Sequence, residues 1–232
     1  MREIIFDTET TGFDPQNGDR MVEIGCIEMV GRVMTGVTYH AYFNPERPMP
    51  AAAEQVHGLS DKFLSDKALF AHQVEDLLDF IGDSPLVAHN ASFDFGFLNM
   101  ELQRCGRMAV CTSRMIDTVA LARVRHPGAK LSLDALCTRY GIDRSHRVKH
   151  GALLDAELLA QLYIELTGGR QIGLGLVDNG SADAGQVVVA AQSSRVYREP
   201  RPHAASEEEL ARHRAFIEKI KDALWLQPGS AL

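Results

Sequence analysis

The sequence predicts an α/β fold, a mixed sheet flanked by helices, followed by a flexible linker and a C-terminal helical tail. Three observations carry that prediction. Strand-like runs fill most of the first 43 residues, and apolar runs then alternate with helical patterns as far as Gly169. Beyond that point the composition turns to Gly, Ala, Ser, Asp and Gln with no sustained period. The expected parts are a domain over residues 1–169, a linker over 170–195 and a tail over 196–232. A chain of 232 residues can form one α/β domain with an appendage but is short for two independent cores.

The elements follow in order. Glu3 to Glu9, Met21 to Val30 and Val33 to Phe43 read as strands, the last two joined by a hairpin at Gly31-Arg32. Pro50 to His57 and Ala71 to Ile81 read as helices, and Pro85 to His89 reads as a short buried strand. Ala91 to Arg104 is a helix with Asn90 as its expected cap, and Met115 to Asp117 is another short strand. Ser132 and Gly141 give the helix Leu133 to Tyr140 a start and a stop, and Ala152 to Leu166 ends at Gly168-Gly169.

Composition narrows the function. With 45% hydrophobic and 24% charged residues the chain matches an ordinary globular protein, and no run of 18 apolar residues marks a membrane span. Acids among the first seven residues argue against a signal peptide and for a cytoplasmic protein. Cys26, Cys105, Cys111 and Cys137 form no Cys-x-x-Cys pair and fall in segments expected to be buried, which suits reduced packing residues. The net charge of −7 argues against tight autonomous binding to nucleic acid. Residues 1–170 carry 17 Lys and Arg against 23 Asp and Glu, a balance that divalent cations on four carboxylates would bring close to neutral.

Three acidic elements point to such cations. In Phe6-Asp7-Thr8-Glu9-Thr10-Thr11-Gly12 the strand alternation puts Asp7 and Glu9 on one face, where like charges are costly unless a cation lies between them. Hard oxygen ligands of this kind suit Mg²⁺ or Mn²⁺. In His89-Asn90-Ala91-Ser92-Phe93-Asp94-Phe95-Gly96-Phe97, Asp94 lies among phenylalanines on a first helical turn and is expected to point inward. In His150-Gly151-Ala152-Leu153-Leu154-Asp155 a five-residue separation turns about 140° on a helix, so His150 must precede the helix that carries Asp155. A loop histidine there can take a proton from water.

The three elements resemble, in order and setting, the DEDDh family of 3′-to-5′ exonucleases, whose fold is ribonuclease H-like. The likeness spans residues 3–169. Val56-His57-Gly58, His89-Asn90-Ala91 and Ser132 to Cys137 are similar in turn to the proofreading branch that serves bacterial DNA polymerase III. The resemblance implies that Asp7, Glu9, Asp94 and Asp155 bind two divalent cations, Mg²⁺ or Mn²⁺, and that His150 is the general base. It further implies a substrate-binding set of Asp7, Glu9, Thr10, His57, Phe93 and Asp155 acting on a single-stranded 3′ end of DNA. For Phe93 the alternatives are base stacking and core packing; for His57, nucleotide contact and helix capping. Arg139, Arg144, His146, Arg147 and Lys149 form the densest basic stretch of the body and are placed to attract a phosphate backbone, with a solvated loop as the alternative.

The tail adds partners. Ser206-Glu207-Glu208-Glu209 is a capping box opening a helix expected to reach Trp225, and Leu210, Phe216, Ile217, Ile220 and Leu224 give it an apolar stripe. A lone helix of that size is marginal in water, so the stripe must cover either the body or a partner. The resemblance implies the polymerase III alpha subunit, and a sliding-clamp peptide at Gln171, Leu174 and Leu176. Tethering would replace the missing intrinsic affinity for DNA. The rival reading is a free-standing DEDDh exonuclease acting on RNA or in DNA repair; a catalytically minor polymerase–clamp adaptor would lack one of the four acids, and all four are present.

Overall fold

A computed structural model describes residues 1–145, 149–169 and 204–221. The chain divides into two compact units, Met1–Leu176 and Val177–Leu232. The first is built on a five-stranded mixed sheet in the order β3-β2-β1-β4-β5, with β1 at Arg2–Thr10, β2 at Met21–Val30, β3 at Val33–Tyr42, β4 at Leu86–Ala88 and β5 at Met115–Asp117. β1, β2 and β3 pair antiparallel, while β4 and β5 join parallel to β1 and to each other. The hairpin forms where expected, because Gly31 and Arg32 both take positive φ, which suits the twist of the flanking strands.

Alternation along β1 sorts the core into two layers. Ile4 and Phe6 face a cluster with α3 (Phe70–Ile81) and α4 (Ala91–Arg104), through Val74, Leu77, Phe95 and Leu98. Ile5 faces the other way, with Ile27 and Val87, onto α5 (Thr118–Arg125), α6 (Leu133–Tyr140) and α7 (Ala152–Leu166). The sheet is thus covered on both sides, and β1 sits at its centre. Tyr163 of α7 donates a 2.8 Å hydrogen bond to the buried Glu3 carboxylate on β1, which fixes the helix along the strand.

Several expectations are corrected. Asn90 stands at the N-cap position of α4, but its backbone is left-handed and its side chain makes no capping bond. Asp117 caps the helix instead, since Oδ1 accepts from the amides of Asn90 (3.0 Å) and Ala91 (3.4 Å) as well as from Val119 (2.9 Å) at the start of α5. One carboxylate at the end of β5 therefore serves two helix N-termini. Helix α5, the short helix α2 (Asp61–Leu64) that links α1 (Ala51–His57) to α3, and two 3-10 turns were not expected from the sequence. α5 carries Thr118, Val119 and Val124, β-branched residues with little helical period, and it is held by its cap and by Arg125 donating to the terminal carbonyls Glu165 and Leu166 of α7. Cys26 and Cys137 are buried as expected, but Cys111 is exposed because it precedes a surface turn.

In the second unit α8 spans Glu207–Ile217 and opens with the expected capping box between Ser206 and Glu209. It ends earlier than the stripe suggested, tightening at Lys219 and Ile220 into i→i+3 bonds. Gln171, Leu174 and Leu176 of the expected clamp peptide, His146 and Arg147 of the basic stretch, and Leu224 and Trp225 lie outside the described residues. Among the described residues no helix is long and apolar enough to cross a membrane.

Candidate active site

The site forms at the C-terminal end of β1, where three elements converge. Asp7 and Glu9 share the face that α7 covers, opposite Gly25 and Glu23 of β2. Gly25 decides how close α7 comes. A β-carbon placed there would stand 2.3 Å from the Leu153 nitrogen and 2.5 Å from the Ala152 carbonyl carbon, so the helix N-terminus rests directly on the strand backbone. Sequence reasoning passed over this residue, although a glycine inside a strand signals close backbone approach.

That approach delivers the third motif. His150 lies before α7, as the spacing required, and its Nδ1 is 3.1 Å from Asp155 Oδ2 one turn into the helix. Glu9, His150 and Asp155 each offer a ligand atom, all within 4.8 Å of one another. Glu9 and Asp155 are buried, whereas the His150 side chain is 46% exposed, which leaves it open to water.

Asp94 arrives from α4 on the opposite side of β1. Thr8, between Asp7 and Glu9, donates a 2.7 Å hydrogen bond from Oγ1 to Asp94 Oδ1. Burial is the main cause that pushes the Asp94 carboxyl up to about 7, against the lowering effect of the Thr8 hydroxyl. Among the described residues the Thr8 hydroxyl is thus the side-chain partner of Asp94, and Thr8 is a site residue the sequence reading missed. The alternation that separated Asp7 from Thr8 was the available signal.

A cavity of about 690 Å³ adjoins these groups, lined by Glu9, Thr10, Phe13, Val56, His57 and Phe93 among others. Phe93 is half-buried and packs on Phe97 and Phe13, so it belongs to the core and to the cavity wall at once. Phe13, 88% exposed at the rim, is a further aromatic that sequence reasoning did not single out; an aromatic straight after the Thr-Thr-Gly turn was the clue. His57 is buried; its Nδ1 accepts from the Leu59 amide at 3.0 Å, which places the ring proton on Nε2, a buried atom with no hydrogen-bond partner among the described residues. Burial foremost lowers its pKa, so the ring is held neutral.

The model of the exonuclease family (RNase T) matches residues 4–163, which takes in all three acidic elements. The DNA polymerase III subunit epsilon of Rickettsia felis is 47% identical over 223 residues, covering 95% of this chain and 97% of that protein. The chain belongs to the epsilon branch of the exonuclease family. The epsilon subunit of Escherichia coli is 39% identical over 230 residues, with 95% and 93% of the two chains covered. Among solved structures, exonuclease X in complex with 5′-overhanging duplex DNA is 27% identical, with a TM-score of 0.56 over 71% of this chain and 90% of that one. The DEDDh nuclease domain of 3′hExo, bound to rAMP, shares the fold at 16% identity, with a TM-score of 0.62 over 72% of this chain and 91% of that one. This epsilon-type exonuclease therefore has the ribonuclease H-like sheet that its motifs implied, and its activity is 3′-to-5′ exonucleolytic.

The donor set of the exonuclease fits divalent cations. Carboxylates are hard oxygen ligands, and positive charge at the site would offset the burial that raises the Asp94 carboxyl and favour its ionised form.

Proposed function

We propose that this proofreading exonuclease removes 5′-mononucleotides one at a time from a single-stranded 3′ end of DNA, with Asp7, Glu9, Asp94 and Asp155 as the carboxylates that hold Mg²⁺ or Mn²⁺ and His150 as the general base. The observation that carries this reading is the convergence of Glu9, His150 and Asp155 within 4.8 Å from two separate elements. When bound, a pair of cations would supply an activated water on one side of the phosphodiester and charge stabilisation of the leaving 3′ oxygen on the other.

The residues of the chain do the rest. Asp155 Oδ2 accepts from the Nδ1–H of His150, which leaves Nε2 as the acceptor for a proton from water. Phe93 and Phe13 offer ring faces to a terminal base, a contact indifferent to base identity and so suited to proofreading. His57 presents Nε2–H, and Thr10 a hydroxyl, to the sugar or phosphate of the same nucleotide.

The substrate is DNA and the compartment the cytoplasm; the names of its relatives support the DNA polymerase III assembly as partner. Residues 196–232 dock on the alpha subunit, and Gln171, Leu174 and Leu176 engage the sliding clamp; the capping box of α8 and the exposed Leu210 and Phe216 support a helix that offers an apolar surface. The test is degradation of a 3′-labelled single strand by the full chain. Release of labelled 5′-mononucleotide in Mg²⁺, lost in Asp7→Ala, is expected; internal cleavage, or activity that survives Asp7→Ala, would refute the assignment. Co-purification with the alpha subunit, retained by the full chain and lost on truncation after Gly169, tests the tail.

A further inference from the structure

We propose that Lys149 binds a phosphodiester oxygen of the substrate strand and that the absent side chain of Gly58 provides its seat. The proposal rests on the exonuclease reading of the site and adds to it a substrate-positioning cation. Lys149 immediately precedes His150, yet its side chain folds over the end of α1 (Ala51–His57). A β-carbon built on Gly58 would stand 2.7 Å from Lys149 Cδ and 2.8 Å from Nζ. Gly58 also holds φ at +79° and closes α1 by donating to the Glu54 carbonyl, so glycine serves both the backbone turn and the lysine stem. The same junction is joined by the His150 amide, which donates to the Val56 carbonyl at 3.4 Å.

The seat places a positive charge between two clefts. On one side is the cavity of about 690 Å³ with Glu9, His57, Phe93 and Phe13. On the other is a more polar cleft of about 850 Å³ lined by Asp143, Arg144, Ser145, Lys149 and His150. A strand whose terminal base lies against Phe93 and whose backbone leaves through the second cleft passes the Lys149 ammonium. Of the other described cations of the basic stretch, Arg144 lines the same second cleft but is tied to neighbouring side chains, donating to Asp134 (2.7 Å) and to Thr138 (3.0 Å), and Arg139 lines a separate surface cleft with Lys130.

The chemistry suits the task. The site is rich in carboxylates, Glu9 and Asp155 among them, and a lysine adds a positive point charge on a flexible stem that holds a phosphate without reading the base. Its contact is made in the bound ground state, so it governs binding more than turnover.

The experiment compares the full chain with Lys149→Met, Lys149→Arg and Gly58→Ala on single-stranded DNA. Fluorescence anisotropy in Ca²⁺ gives affinity across a salt series, and Mg²⁺ kinetics give KM and kcat. Lys149→Met keeps the stem over Gly58 and is expected to raise Kd and KM by about tenfold, with kcat little changed. The slope of log Kd against log salt should become shallower by about 0.7, the counterion contribution of one phosphate on a single strand. Lys149→Arg should keep the slope. Gly58→Ala, shown folded by circular dichroism, should reproduce the shallower slope and add nothing further in the double variant. An unchanged slope and KM in Lys149→Met would overturn the proposal. If the parent chain hydrolyses no 3′ end, the exonuclease reading fails instead, and the anisotropy series still decides the role of Lys149.

Discussion

Gly25→Ala tests the link between packing and chemistry. The new methyl would meet the Leu153 nitrogen at 2.3 Å, its Cα at 2.4 Å and the Ala152 carbonyl carbon at 2.5 Å, all backbone atoms with no rotamer to yield. Restoring ordinary contact of about 3.5 Å requires α7 to retreat from β2 by about 1 Å at its first turn. Overpacking of this kind costs about 1–3 kcal/mol, which in a domain of this size lowers the melting temperature by roughly 2–12 °C. The same retreat carries His150 and Asp155 away from Glu9, and a misplacement of about 1 Å at a reacting centre can cost about 100-fold in rate. Thermal melts by circular dichroism, paired with single-turnover hydrolysis of a 3′-labelled strand, measure both. An unchanged melting temperature with a rate within about twofold of the parent would show that α7 does not rest on the strand backbone, and the account of how the site assembles would fail.

Gly96→Ala should do the opposite at a site of the same residue type: within α4 its β-carbon would meet nothing nearer than Pro15 Cγ at 4.0 Å, so removing helix-interior glycine should stabilise by about 0.5–1 kcal/mol, read as a higher urea midpoint. His150→Ala should lower kcat by about 10²–10⁴-fold while leaving single-strand affinity in Ca²⁺ near normal; turnover close to that of the parent would remove His150 from the role of base. Asp94 predicts a pH dependence of stability in EDTA. Its folded pKa is raised from 3.8 to about 7, so the stability tied to its protonated form is fully present below the unfolded value and is lost as pH rises through the folded one. Urea denaturation should show stability falling between about pH 4 and pH 7 through this group, by on the order of 1 kcal/mol per unit at most, and Asp94→Asn should flatten that slope.

Much of this protein was legible in the sequence because the signals are local. Alternation placed Asp7 and Glu9 on one face, the five-residue spacing forced His150 off the helix of Asp155, and Ser132 and Gly141 bounded α6 where they were expected to. Tertiary structure decided what no local pattern encodes. The Asp117 carboxylate rather than the Asn90 side chain satisfies the first amides of α4, because it reaches them from a neighbouring strand end whereas Asn90, whose backbone is left-handed, makes no capping bond. Thr8 meets Asp94 across 86 positions of sequence. Gly25 sets the height of α7 over the sheet, since close packing leaves no room for even one methyl group there. Residue types and periods thus determined which side chains lie on which face of each element, while the distances between them were fixed only when backbones from different elements came into contact.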